Sequence, residues 1–265
     1  MTSTPAPAPT HGLLTANLIC MASMLIWAAG LPAADLIIPL LIPEQLSFLR
    51  MALSALVLLP FWAAVEGWGP LMRVNWLKGI AVGSLIGLGA WLLIRGQALG
   101  GAVTAAVISS TLPVVGIALE VVLDGRKVTA ALIIGLVLAF VGGILALDLT
   151  GGGMSLGLGA ALCFASVLSF TLGSRLTVTQ FPDQTAIGRT AVTLTGAAIA
   201  ALIVAAGQML VLGTPGPDFS LWGWQEFGAM LLFSVGALGV SQVMWIMSVE
   251  RLGIGLSALH INAAP

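Results

Sequence analysis

Leu18-Ile19-Cys20-Met21-Ala22-Ser23-Met24-Leu25-Ile26-Trp27 returns 143 residues later as Ala161-Leu162-Cys163-Phe164-Ala165-Ser166-Val167-Leu168-Ser169-Phe170. In so apolar a chain a single Leu or Ala match carries no weight. The Cys, Ser and aromatic positions in register are what count, and the order continues downstream. Pro43-Glu44-Gln45 with Arg50 matches Pro182-Asp183-Gln184 with Arg189 at an offset of 139. Ser84, Leu88 and Gly89 match Ser234, Leu238 and Gly239 at 150, and Gly101, Ala106 and Pro113 match Gly253, Ala258 and Pro265 at 152. An ordered series of this kind marks a duplicated unit.

The solvent of that unit is lipid. Of 265 residues 59% are hydrophobic and 7% charged, against roughly 25% charged in a soluble domain. Mean hydropathy is +1.11, and the 33 Gly suit helices that pack within a bilayer. The chain is therefore an all-α polytopic membrane protein. Nine basic against ten acidic residues leave no electrostatic footprint for nucleic acid. Cys20 and Cys163 sit in apolar runs, and no zinc-protease motif or P-loop occurs. No metal, no cofactor and no catalytic residue set is expected. Residues 1–13 form a polar, proline-rich tail expected to be disordered and cytoplasmic.

A bilayer core of about 30 Å takes roughly 20 apolar residues at 1.5 Å rise. That length predicts spans over 14–38 (kinked at Pro32), 44–65, 76–98, 101–123 and 128–148. After a Gly-rich break at 149–153 come spans over 154–178, 184–211 and 223–250, and a ninth from 254. Arg73, Lys78, Arg126, Lys127, Arg175 and Arg251 fall in connections after even-numbered spans, and Arg95 alone in the others. The positive-inside rule then puts the N-terminus in the cytoplasm. Repeats of five spans, 14–149 and 154–265, are odd-numbered and so must lie upside down relative to each other. A 5+5 inverted-repeat bundle is expected, with ten helices in the intact chain, both termini cytoplasmic, and this sequence stopping early in helix 9.

These features resemble the drug/metabolite transporter superfamily of the EamA type. The resemblance rests on Trp27 in span 1, Arg50 and Arg189 early in spans 2 and 7, the run from Ala98-Leu99 to Pro113, and the turn Asp124-Gly125-Arg126-Lys127. At that turn the family usually has Glu-Arg, a departure here. The resemblance implies export of small metabolites from a bacterial cytoplasm through a central cavity in the inner membrane. The amino-acid exporter branch, which includes aromatic amino-acid exporters, lies closest. Compact multidrug exporters of this kind carry an essential acid in their first helix. The segment around Trp27 has none, so facilitated diffusion or weak proton linkage is expected.

Residues that could contact a substrate are few. Trp27, Trp91 and Trp245 are mid-span aromatics, and Gln242 lies one turn from Trp245. Ser84, Trp91 and Arg95 share a stripe of span 3, matched by Ser234, Ser241, Trp245 and Ser248 on span 8. Pro113 and Pro265 each remove a helical hydrogen bond. Ser109, Ser110, His260 and Asn262 surround those weakened turns, where irregular backbone is tolerated beside a cavity. Arg50 and Arg189 are expensive in a membrane unless partnered, which makes them gating, structural or carboxylate-binding groups. The expected partners are a small-molecule substrate and the bilayer, with the protein acting as a monomer. The alternatives are a multidrug efflux carrier or an intramembrane enzyme, for which Ser257 and His260 would be the nearest nucleophile–base pair.

The topology has a direct test. Gly152→Cys is expected to react with an impermeant thiol reagent on intact cells. Labelling of Arg126→Cys instead would overturn the orientation.

Overall fold

The computed structural model describes residues 10–130, 133, 134, 137 and 157–263, with Thr10, His11, Asn262 and Ala263 in backbone only. Most of the expected fifth span, the 149–153 break and Pro265 lie outside the described residues. The elements are α1 (Thr10–Ala28), α2 (Gly30–Ile37), α3 (Pro43–Glu66), α4 (Trp68–Arg73), α5 (Trp76–Ser109) and α6 (Leu112–Asp124). They continue as α7 (Leu158–Gln180), α8 (Ala186–Leu212), α9 (Trp224–Leu231), a π-helical stretch Leu232–Val240, α10 (Ser241–Leu252), α11 (Ile254–Ala258) and a 3-10 turn Leu259–Ala263. Six runs among the described residues are long and apolar enough to cross a bilayer: Gly12–Ile37, Pro43–Glu66, Trp76–Ser109, Leu158–Gln180, Ala186–Leu212 and Trp224–Leu252. The protein is an all-helical, multi-pass membrane protein.

Two of the expected spans are broken. Gly101 interrupts α5 with φ 80° and ψ 167°, a conformation nearly exclusive to glycine. The chain breaks again at Ser110–Thr111, ahead of Pro113 in the first turn of α6. The matching segment behaves alike: Gly253 has φ 79° and ψ 163°, and α11 tightens into the 3-10 turn after five residues. The kink expected at Pro32 appears at Ala29, between α1 and α2. Proline acts on the preceding turn, because its ring meets the carbonyl four residues back.

Helices in lipid gain little from hiding apolar surface, so van der Waals contact at close range must hold them. Glycine supplies that range here. Gly79, Gly83 and Gly87 of α5 lie against Val192, Thr193 and Ala197 of α8, while Gly96 and Gly100 meet Gly159 and Cys163 of α7. The packing pairs recur between sequence-matched segments. α5 packs on α7 as α10 packs on α1, and α5 packs on α8 as the π-helical stretch packs on α3. α3 and α8 pack on each other, as do α6 and α11.

These contacts leave no room for a side chain. A Cβ on Gly83 would lie 2.2 Å from the Thr193 carbonyl oxygen. Gly83→Ala is expected to destabilise the protein by about 1–3 kcal/mol, read as a lower melting temperature in detergent. Gly207 has open space around it, so Gly207→Ala should leave that temperature unchanged or slightly raised.

Candidate functional site

The two broken segments and the π-helical stretch converge on a central cavity. Met24 and Trp27 of α1, Arg50 of α3, and Ile86, Gly89, Ala90 and Leu93 of α5 form one part of its wall. Ser109, Leu112 and Ile261 come from the broken segments, and Ser166, Val167 and Phe170 from α7. Ala237, Leu238, Ser241, Gln242 and Trp245 complete it. The wall is apolar and aromatic, with a small set of polar groups. Such a composition suits a ligand with one polar end and one greasy end.

Trp245 is 1% exposed and its indole N–H donates to Ser174 Oγ at 3.1 Å. Its nitrogen is thereby spent within the protein, and the ring meets Phe170 at 6.0 Å between centroids. Gln242, one turn earlier, is 3% exposed, and its Nε2 has no hydrogen-bond partner among the described residues. A buried amide left open costs about 1–3 kcal/mol. Its place in the cavity wall supplies a reason for keeping it.

Arg50 is the second open group. It is 3% exposed, donates from Nε to the Phe233 carbonyl at 3.1 Å, and lies 3.9 Å above the Phe233 ring. No carboxylate among the described residues forms an ion pair with it. Its sequence match, Arg189, is settled differently. Arg189 donates to the carbonyls of Phe181 and Pro182 at 2.7 and 3.0 Å, and its Nη1 lies 3.0 Å from Glu250 Oε1. That last contact is an ion pair outside hydrogen-bond geometry, since Nη1 has no hydrogen-bond partner. Arg189 does not line the cavity. One arginine is consumed by the fold; the other keeps positive charge beside the empty space.

Trp27, Ser109, Gln242, Trp245 and Arg50 are thus brought together. Other residues singled out in the sequence lie elsewhere. Trp91 is on the opposite stripe of α5, where its Nε1 donates to Glu44 Oε1 at 3.0 Å. Ser110 is buried with its Oγ on the Val107 carbonyl at 2.6 Å, and Pro113 packs in the first turn of α6. His260 holds its Nδ1 3.3 and 3.2 Å from the carbonyls of Leu256 and Ser257, and its neighbour Ile261 lines the cavity instead. The 3-10 winding explains this, because it turns each successive side chain by about 120° instead of 100°. The side chain of Asn262 and all of Pro265 lie outside the described residues.

Ser166 and Phe170 of α7 line the cavity although sequence reasoning did not place them there. Their match to Ser23 and Trp27 was the available signal. The two matched serines do the same work, Ser166 donating to the Gly89 carbonyl at 2.6 Å and Ser23 to the Ser241 carbonyl at 2.8 Å.

A family model for EamA-like transporters matches residues 14–147, half of the chain. The chain belongs to the EamA-like transporter family. Seven chains of known structure are similar to it. One, a crystal structure, superimposes with a TM-score of 0.73 at 20% identity, over 95% of this chain and 85% of that one. At that identity the likeness is one of fold. A search of curated proteins found no match. With the family shown, the cavity belongs to a membrane transporter.

The open amide separates ligand binding from folding. Gln242→Met keeps the volume and removes the unpartnered group, so stability should hold or rise by about 1 kcal/mol. Thermal unfolding in detergent reads this, and a loss above about 2 kcal/mol would mean that the amide is partnered within the fold.

Proposed function

We propose that this protein is a secondary transporter that exports small amphiphilic metabolites, foremost amino acids with apolar or aromatic side chains, by alternating access. The observation that carries this is Arg50 in the cavity wall with no carboxylate partner among the described residues, in a wall it shares with Trp27, Phe170 and Trp245. A guanidinium buried in a membrane is costly unless paired. A substrate carboxylate would supply that pairing through charge-assisted hydrogen bonds. The Gln242 amide takes a second polar group, and Phe170, Trp245 and Trp27 cover the apolar end.

Movement follows from the repeat. Gly101 and Gly253 have the same backbone conformation at matched positions, and the packing pairs recur between matched segments. Two inverted five-helix units with a site between them can rock against each other, opening the cavity first to one side and then to the other. Broken helices beside the cavity give the rocking its flexible joints. We place the protein in a bacterial inner membrane, with both termini cytoplasmic and the monomer as the working unit.

For the enzyme alternative, the nearest pair among the described residues is Ser257 and His260. His260 Nδ1 faces the carbonyl of Ser257 and not its hydroxyl. The drug-efflux alternative differs in substrate charge, because apolar amines would leave Arg50 unpaired.

Proteoliposomes loaded with labelled phenylalanine, leucine or a hydrophobic amine test the reading. Amino-acid flux should run down its own gradient without an imposed pH difference, and His260→Gln should retain it. Arg50→Gln should lower amino-acid flux at least tenfold, as expected for a lost charge-assisted hydrogen bond of about 1.5–3 kcal/mol. Equal flux of the amine and the amino acids, unchanged in Arg50→Gln, would favour the drug carrier.

A further inference from the structure

α5 separates two spaces. Opposite the cavity, Trp91 and Leu88 face a cleft closed by Glu44 and Ser47 of α3 and by Ala201 and Val204 of α8. Its mouth opens toward lipid, since Leu88 is 47% and Val204 49% exposed on membrane-crossing helices. Its inner end is polar. Glu44, the second residue of α3, is 5% exposed, and its Oε1 accepts from Trp91 Nε1 at 3.0 Å and Arg95 Nη1 at 3.1 Å. No hydrogen bond among the described residues reaches its Oε2. Ser47, one turn on, is 2% exposed, and its Oγ has no partner.

We propose that this cleft binds one bilayer phospholipid with a primary ammonium headgroup, of the ethanolamine type. The ammonium donates to Glu44 Oε2 and Ser47 Oγ, and the phosphate lies beside Arg95, whose side chain is 45% exposed. One acyl chain follows Leu88, Ala201 and Val204 toward the bilayer centre. Three features select this occupant. Opposite charges 3.1 Å apart complement a zwitterion and not a net anion. A quaternary choline headgroup has no N–H to satisfy two open acceptors. Glu44 also lies at a helix end, the depth where headgroups meet acyl chains. The inference is independent of what the central cavity carries, because α5 stands between the two spaces.

The full chain, purified in mild detergent, is mixed with equal ethanolamine, choline and glycerol phospholipids and examined by native mass spectrometry. The ethanolamine lipid should be retained about tenfold over the choline lipid. Glu44→Gln should abolish that preference, and Ala201→Phe, which fills the cleft but leaves Glu44 intact, should lower retention. A brominated-chain ethanolamine lipid should quench tryptophan fluorescence more in the unaltered protein than in Trp91→Phe, a readout that does not require either of the other variants to fold. Equal retention of the three lipids, a preference surviving Glu44→Gln, undiminished retention in Ala201→Phe, or equal quenching in Trp91→Phe would each overturn the proposal.

Discussion

The close approach of α5 to α7 and α8 through glycine faces is the contact on which the rest of the structure depends. Without hydrophobic driving force between helices, close van der Waals packing and interhelical hydrogen bonds hold them, and close packing comes first here. A glycine stripe at every fourth residue gives α5 that distance along α8, and a second set gives it along α7. Both contacts fix the rotation of α5 about its axis. That rotation sends Gly89, Ala90 and Leu93 to the central cavity and Leu88 and Trp91 to the cleft on the other side. One helix, clamped by its smallest residues, thus assigns two different environments to its larger ones.

The two halves of the sequence carry matched residues, and the structure uses them unequally. Ser54 and Thr193 occupy matched positions and make the same bond, each to the carbonyl of the arginine four residues back, at 2.9 and 2.8 Å. The arginines themselves diverge. Arg189 meets Glu250 and two carbonyls at a helix junction, which fastens the end of α7 to α8. Arg50 meets one carbonyl and one ring. A strictly symmetric pair would have been wholly structural or wholly open, and the difference turns on whether a carboxylate stands nearby.

The membrane class and most of the spans were legible because lipid demands long apolar helices. Which stripe faces which space was not. Trp91 and Trp245 look alike as mid-span aromatics, and only the glycine contacts, read with their partners, tell them apart. Glu44 was also missed. Near a helix end it passes for an interfacial acid, and its burial comes from Trp91 and Arg95, 47 and 51 residues away in sequence. His260 lies beside the cavity wall, with Ile261 in it, since a single turn of 3-10 winding rotates side chains away from the α-helical register.

The π-helical stretch Leu232–Val240 shows how an open cavity and a satisfied backbone coexist. A π turn bonds each amide one residue further back than an α turn, and so spreads its carbonyls around a wider turn. In lipid those carbonyls cannot turn to water and must find donors within the protein. Arg50 Nε reaches the Phe233 carbonyl and Ser54 Oγ the Ser234 carbonyl, at 3.1 and 2.7 Å. Arg50 therefore does two things at once. Its Nε compensates an irregular helix, and that bond draws the guanidinium over Phe233 at the edge of the cavity. Any motion that rewound the stretch into a regular α-helix would withdraw the carbonyl, and with it the arginine's position. The charge at the cavity is thereby tied to the winding of the helix that walls it, so a change at either one is felt at the other.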